Sequence, residues 1–367
     1  MAKAKVVTSE PRVENPGIKP QGISSKHINR LKILGVILTL GGIVLFSYFV
    51  YSVGVNEILN NVERFGFIGF AIILAIYFAR ICMRAAAWKL SVYEPYTLGM
   101  RDTVPAVIIG EAMSSMIPLG ILVSGTSKAV AVRKRVPLVV GLSSIATENL
   151  FYTFTTSVFL MLGAFTFVRS FELEQGWVIT INILIGCLIG VLILGLLMVV
   201  RQWHFASETC AWLYRKGIAR GILENGRLEV RLFENFIYGF YRRYPRRFLP
   251  ICLIEAAFHL LGILEVFFIL SRIVDTVPHM LNAFLLESVS RLITIIFKLV
   301  PFLIGVDEAG AQFVAETVAL GAGIGVTLAI IRKGRILFWT AIGLIIIIKR
   351  GLSLREISRL RKHGGMH

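Results

Sequence analysis

The sequence predicts an all-α polytopic integral membrane protein, a helix bundle interrupted by one or two re-entrant, broken helices. Three observations predict it. Hydrophobic residues make up 56% of the 367-residue chain and charged residues only 17%, and the mean hydropathy of +0.75 lies far above what a soluble core needs. Nearly uncharged stretches at about 33–53, 67–88, 138–168, 177–200 and 310–331 each reach the roughly 20 residues that cross a bilayer as helix. Finally, the run from Pro301 to Gly310 sets a proline, two glycines, Asp307 and Glu308 inside an apolar stretch. Irregular backbone at membrane depth persists only where protein buries it or water lines it, and an acid there costs about 2.5–3.5 kcal/mol.

Taken in order, residues 1–30 form a basic tail rich in Pro, Gly and Lys that is expected to be disordered and cytoplasmic. The polar leader and the length of the first apolar run argue against a cleaved signal peptide. The membrane domain is expected over 31–350, with 351–367 a second basic tail. The formal net charge of +17 does not point to nucleic acid, because the Lys and Arg residues cluster between apolar stretches. Segment 201–248 holds ten Arg or Lys against four Glu and belongs inside, whereas 54–66 and 169–176 carry more Glu than Arg and belong outside. Its interleaved Trp and Tyr residues suit helices lying on an anionic leaflet, or an ordinary cytoplasmic connector.

Charge placement also shapes the middle of each half. Were 103–123 to span, the basic loop Lys128, Arg133, Lys134 and Arg135 would lie outside and all later assignments would invert. The stretch 103–124 therefore reads as a re-entrant element from the cytoplasmic side, broken near Pro118 and Gly120, with Glu111, Ser114 and Ser115 on the way in. Residues 281–304 repeat the theme at Pro301 and Gly305. If that element enters from outside, the two halves form an inverted repeat; if 281–300 spans, the C-terminal basic residues stay inside.

Several ionisable residues are candidates for chemistry. Arg80 and Arg84 share one face of the second helix and could hold phosphate, although Arg84 could also snorkel to headgroups. Glu255 and His259, four apart, could bind a proton or tie helices together, and Glu148 carries the same ambiguity. Glu287, Arg291, Lys298, Asp307 and Glu308 place five ionisable groups in one membrane segment, where they could line a wet cavity. Cys82, Cys187, Cys210 and Cys252 have no metal or disulfide spacing. No nucleophile elbow, zinc motif or Walker loop appears, so no enzyme and no cofactor are expected. The triplet Gly321-x-Gly323-x-Gly325 fits close helix packing better than a dinucleotide fingerprint.

The order Glu287, Pro301, Gly305, Glu308, Gly310, Gly321, Arg332-Lys333-x-Arg335, Trp339 and Gly343-Leu344 resembles the lysylphosphatidylglycerol synthase transmembrane family. These are flippase-like membrane proteins that include members encoded with hopanoid biosynthesis. The N-terminal signature runs from Pro118 to Lys128; it lacks the family's acid, and Lys stands for Arg. The resemblance implies a lipid translocase or lipid carrier of the cytoplasmic membrane, with a phospholipid or polyprenyl-phosphate headgroup between the two broken elements. Its phosphate would lie near Arg80, Arg291 or Lys298. Lipid aminoacylation is not expected, since no soluble transferase domain follows. Two further readings stay open: a non-transporting subunit that docks a cytoplasmic lipid-modifying enzyme, and a proton-coupled carrier of small solutes.

Overall fold

The computed structural model describes residues 40–349 apart from 42, 117–119, 172–173, 202–203, 217–229, 232–233, 236–237, 276 and 298–299. The disorder expected for 1–30 and the tail 351–367 lie outside the described residues, as do Pro118 and Lys298. Every described element is helical. In chain order these are α1 (Ile43–Val53), α2 (Val55–Leu90), α3 (Met100–Met116), α4 (Gly120–Ala131), α5 (Leu138–Ser170), α6 (Gln175–Arg201), α7 (Phe205–Arg215), α8 (Pro245–Ile273), α9 (Met280–Ile296), a 3-10 turn (Pro301–Leu303), α10 (Val306–Thr317) and α11 (Ala322–Lys349). Four of them, α2, α5, α6 and α8, contain stretches long and apolar enough to cross a membrane. At 28 residues α11 is also about 42 Å long, but Arg332, Lys333 and Arg335 interrupt its apolar run.

Helices α2 and α8 form the antiparallel centre. Arg64 meets Asp275 at one end, Phe65 meets Phe268, Arg80 meets Glu265 midway, and Ala87 packs with Ile251 near the other end. The spacing of α8 explains its orientation. Ile251, Glu255, Phe258, Gly262, Val266 and Ile269 recur at three and four residues and are buried, while Leu249, Leu253, Leu260 and Leu264 face outward. Helix α6 packs chiefly on α5, and its exposed Ile183, Val191 and Ile193 are suited to lipid.

Around this centre the two halves repeat one plan: a long helix, a helical hairpin and a second long helix. The hairpin arms match in length, with 17 residues in α3 and in α9, and 12 in α4 and in α10. The packing is reciprocal, since α3 lies against α11 and α9 against α5. Hairpin α3–α4 has both feet at one end, where Arg135 pairs with Asp102 at 3.5 Å and Arg247 bonds the carbonyls of Leu90 and Val92. Hairpin α9–α10 has its feet at the other end, where α8 terminates beside Arg64 and Gly323 approaches Val53 and Glu57. The hairpins therefore enter from opposite ends, and the repeat is inverted.

This arrangement corrects three expectations. The stretch 310–331 does not form one span; Val318–Gly321 separates α10 from α11. Residues 281–300 do not span either, because α9 stops at Ile296 and the chain turns back. The run back is instead made by α11, whose end near Lys349 packs beside α3 and α4. Lys128 is not part of an exposed basic loop, because α4 extends to Ala131 and buries it. The close-packing reading of the glycine triplet holds, since a Cβ on Gly325 would meet the Gln312 backbone at 2.8 Å.

Candidate functional site

Four helices bring four guanidinium groups to two carboxylates at the centre of the bundle. Arg80 of α2 bridges Glu265 of α8 at 3.0 Å and Glu287 of α9 at 3.1 Å. Glu287 also receives Arg291 at 2.6 Å, one turn along α9, and Arg332 of α11 at 2.8 Å. Arg335, one turn below Arg332, pairs with Glu265. Both carboxylates are fully buried and Arg80 is only 1% exposed. Gly262 makes room for the network, because a Cβ there would stand 3.0 Å from the Arg80 guanidinium and 2.9 Å from the Glu287 carboxyl carbon. Aromatic faces add to the attraction, with Phe258 under Arg80 at 4.5 Å and Tyr77 under Arg335 at 4.0 Å.

Cations outnumber carboxylates here. A further acid, Asp307, accepts a hydrogen bond from Ser290 at 2.9 Å, while Arg332 donates to the same Ser290 hydroxyl at 3.0 Å. The Nε–H groups of Arg80, Arg291 and Arg335 are buried with no acceptor. An unpaired buried donor costs about 1–3 kcal/mol, more when charged.

The break after α9 is built beside this network. Phe302 and Leu303 both adopt φ of 53°, sparsely populated for residues with a Cβ, and Gly305 follows at φ 82°. Glu308 closes the turn by accepting the Gly305 N–H at 2.8 Å, and Lys333 of α11 pairs with Glu308 and donates to the Leu303 carbonyl. A cavity of about 220 Å³ lies between this turn and the inner end of α3. Glu111, Ser114 and Ser115 line it from one hairpin, Phe302 and Leu303 from the other, and Thr340 from α11. Tyr77 forms part of its wall and donates to Glu111 at 2.8 Å. Tyr77 lies one turn from Arg80, Thr294 one turn from Arg291 and Ile336 one turn from Arg332, so three cavity walls continue directly into the guanidinium cluster.

A second buried group lies one turn toward the basic end. Arg84 pairs with Glu148 of α5 at 2.7 Å and stacks on Tyr152 at 4.0 Å. Snorkelling does not describe Arg84, which is 9% exposed. The Glu255–His259 pair is not formed. His259 bonds Thr156 at 3.1 Å and stacks on Phe159, while Glu255 turns toward Glu148.

Of the residues singled out from sequence, Arg80, Glu287 and Arg291 meet in one network, with Asp307 linked through Ser290. Pro301, Gly305 and Glu308 form the adjoining break, and Glu111 lines the cavity between. Arg84, Glu148 and Lys128 belong to the second group. Glu265, Arg332 and Arg335 were missed as central residues. The basic triplet read as a trailing turn lies within the long helix α11; three cations at i, i+1 and i+3 in an otherwise apolar run were the available signal.

The profile of the lysylphosphatidylglycerol synthase TM region matches residues 32–343. The chain belongs to that family. No curated protein and no solved structure matches significantly. The matched range holds both hairpins and every residue of the two buried charge groups, so this member of the lysylphosphatidylglycerol synthase TM family is a multi-pass membrane protein whose ionisable core lies within the family's shared region.

Proposed function

We propose that the protein binds the phosphate-bearing headgroup of a lipid in the cavity between its hairpins and carries that lipid across, or within, the cytoplasmic membrane, its N-terminus inside. The observation that carries this reading is the surplus of guanidinium groups, three with unpaired Nε–H donors, next to a cavity of mixed apolar and polar lining flanked by hairpins from opposite ends. A dianionic or monoanionic phosphate supplies the acceptors that Glu265 and Glu287 do not, and arginine's planar fork suits it. At roughly 30 Å³ per water, the cavity replaces about seven waters, enough for a phosphate group and too little for acyl chains, which stay in the bilayer. Moving such a headgroup through hydrocarbon without this replacement for its water is prohibitive. Inverted hairpins offer the same site to each side in turn. The bundle holds and moves the lipid rather than transforming it.

Native mass spectrometry of the protein in mild detergent tests this, comparing wild type with Arg291→Ala and with Thr340→Leu, which fills the cavity. Retention of a distinct phosphate-bearing lipid by wild type, reduced at least tenfold in both variants while each stays folded at the temperature of the measurement, is expected. Equal bulk lipid in all three refutes the site.

A further inference from the structure

The second charge group has a feature that headgroup binding does not use. Glu148 of α5 and Glu255 of α8 are 1% and 0% exposed, and the two carboxyls stand within hydrogen-bonding reach of each other. None of their four oxygens accepts a hydrogen bond from any other group. Arg84 touches Glu148 as an ion pair but lacks hydrogen-bond alignment, and its donor points to Asn149 at 3.4 Å. Among the described residues no cation pairs directly with Glu255, although Arg84 and Lys128 stand near it.

Two ionised carboxylates are acceptors only, so facing each other they repel, and in a low-dielectric interior Arg84 offsets only the Glu148 charge while the Glu255 oxygens stay bare. One proton changes this. It makes one carboxyl a donor, joins the pair by a strong hydrogen bond and leaves a single negative charge between them. The charged groups facing the pair are Arg84 from α2 and Lys128 from α4, with the Tyr152 hydroxyl and the Cys252 thiol also near, while Glu111 from α3 faces those two cations. Neither cation pairs with Glu255, whose carboxylate charge is left without a hydrogen-bonded partner. His259, one turn along α8, does not neutralise it, because its Nε2 engages Thr156 and its Nδ1 has no partner.

We propose that Glu148 and Glu255 form a proton-binding site that holds one proton between them and couples its uptake to filling of the guanidinium cluster. The coupling part rests on the lipid-carrier reading above. Arg80 and Arg84 are successive turns of α2, and the Phe258 ring lies against both, at 4.5 and 5.8 Å. An anion arriving at Arg80 adds negative charge one turn from the pair and strengthens its hold on the proton. Proton and anionic headgroup therefore bind together. The proton comes from the aqueous phase and returns to it when the headgroup leaves.

Infrared difference spectroscopy between acidic and alkaline buffer, on protein in liposomes, tests the site. The wild type is expected to show the carbonyl stretch of an un-ionised carboxylic acid at neutral pH, lost in Glu255→Gln. That variant is isosteric and gives Glu148 a permanent donor, so its melting temperature should not fall. No such band in wild type, or an unchanged band in both Glu255→Gln and Glu148→Gln, overturns the site. Proton uptake on adding short-chain phosphatidic acid tests the coupling: one proton per protein is expected in wild type and none in Glu255→Gln. A band that behaves as expected with no uptake on lipid addition supports the proton site and overturns the coupling, and the mass-spectrometric result then decides the lipid reading separately.

Discussion

Replacing Glu287 by Gln is the most informative perturbation of the central network. The carboxylate takes three guanidiniums, at 3.1, 2.6 and 2.8 Å, and is wholly buried. Gln keeps the shape and removes the charge, so Arg80, Arg291 and Arg332 are left around Glu265 and the more distant Asp307. Removing one partner of a buried pair costs about 3–5 kcal/mol, because the uncompensated charge remains. At roughly 2–4 °C per kcal/mol for chains of this size class, the melting temperature in detergent should fall by on the order of 10 °C. Arg291→Gln leaves Glu287 with two cations and should cost only about 1.5–3 kcal/mol, the range for one hydrogen bond to a charged group. The double variant Glu287→Gln/Arg291→Gln removes one charge of each sign and should recover part of the loss. Equal shifts for the two single variants, with a double that simply adds them, would refute the claim that Glu287 holds surplus positive charge in place.

Two further outcomes follow from the geometry. With the four native cysteines replaced, single cysteines at Glu94 and Arg135 should label with a membrane-impermeant maleimide from one side and a cysteine at Asp275 from the other; labelling of positions 94 and 135 from opposite sides would exclude the hairpin. Gly262→Ala should lower stability by about 1–3 kcal/mol, read as a fall in melting temperature, because its methyl group pushes on both Arg80 and Glu287.

Much of the fold was legible in the sequence because lipid imposes a simple code. Proline and glycine inside apolar runs at Pro118 and Pro301 located both hairpins, and clusters of Lys and Arg gave the end at which α3–α4 begins and returns. The code failed where charge was spent internally. Arg332, Lys333 and Arg335 lowered the apolarity of α11 enough to disguise one long helix as a basic turn, since no local signal says that Glu287, Glu308 and Glu265 wait opposite. The site followed the same division. An i, i+4 relation sufficed for Glu287 and Arg291, which do pair. For Glu255 and His259 the same spacing misled, because neighbouring α5 offers Glu148 to one and Thr156 to the other. Spacing along one helix fixes which residues share a face; the partner helix decides what they bond.

The composition of α11 has a consequence for how the chain is made. Three cations entering hydrocarbon unaccompanied cost about 2.5–3.5 kcal/mol each, so α11 resists lateral release into the bilayer by itself. Its counter-charges reside on α8, α9 and α10, which leave the ribosome earlier. Biogenesis is thereby ordered: the preceding segments must stay gathered at the insertion machinery, acids unspent, until α11 arrives to meet them, and a chain in which they disperse too soon strands α11 outside the membrane.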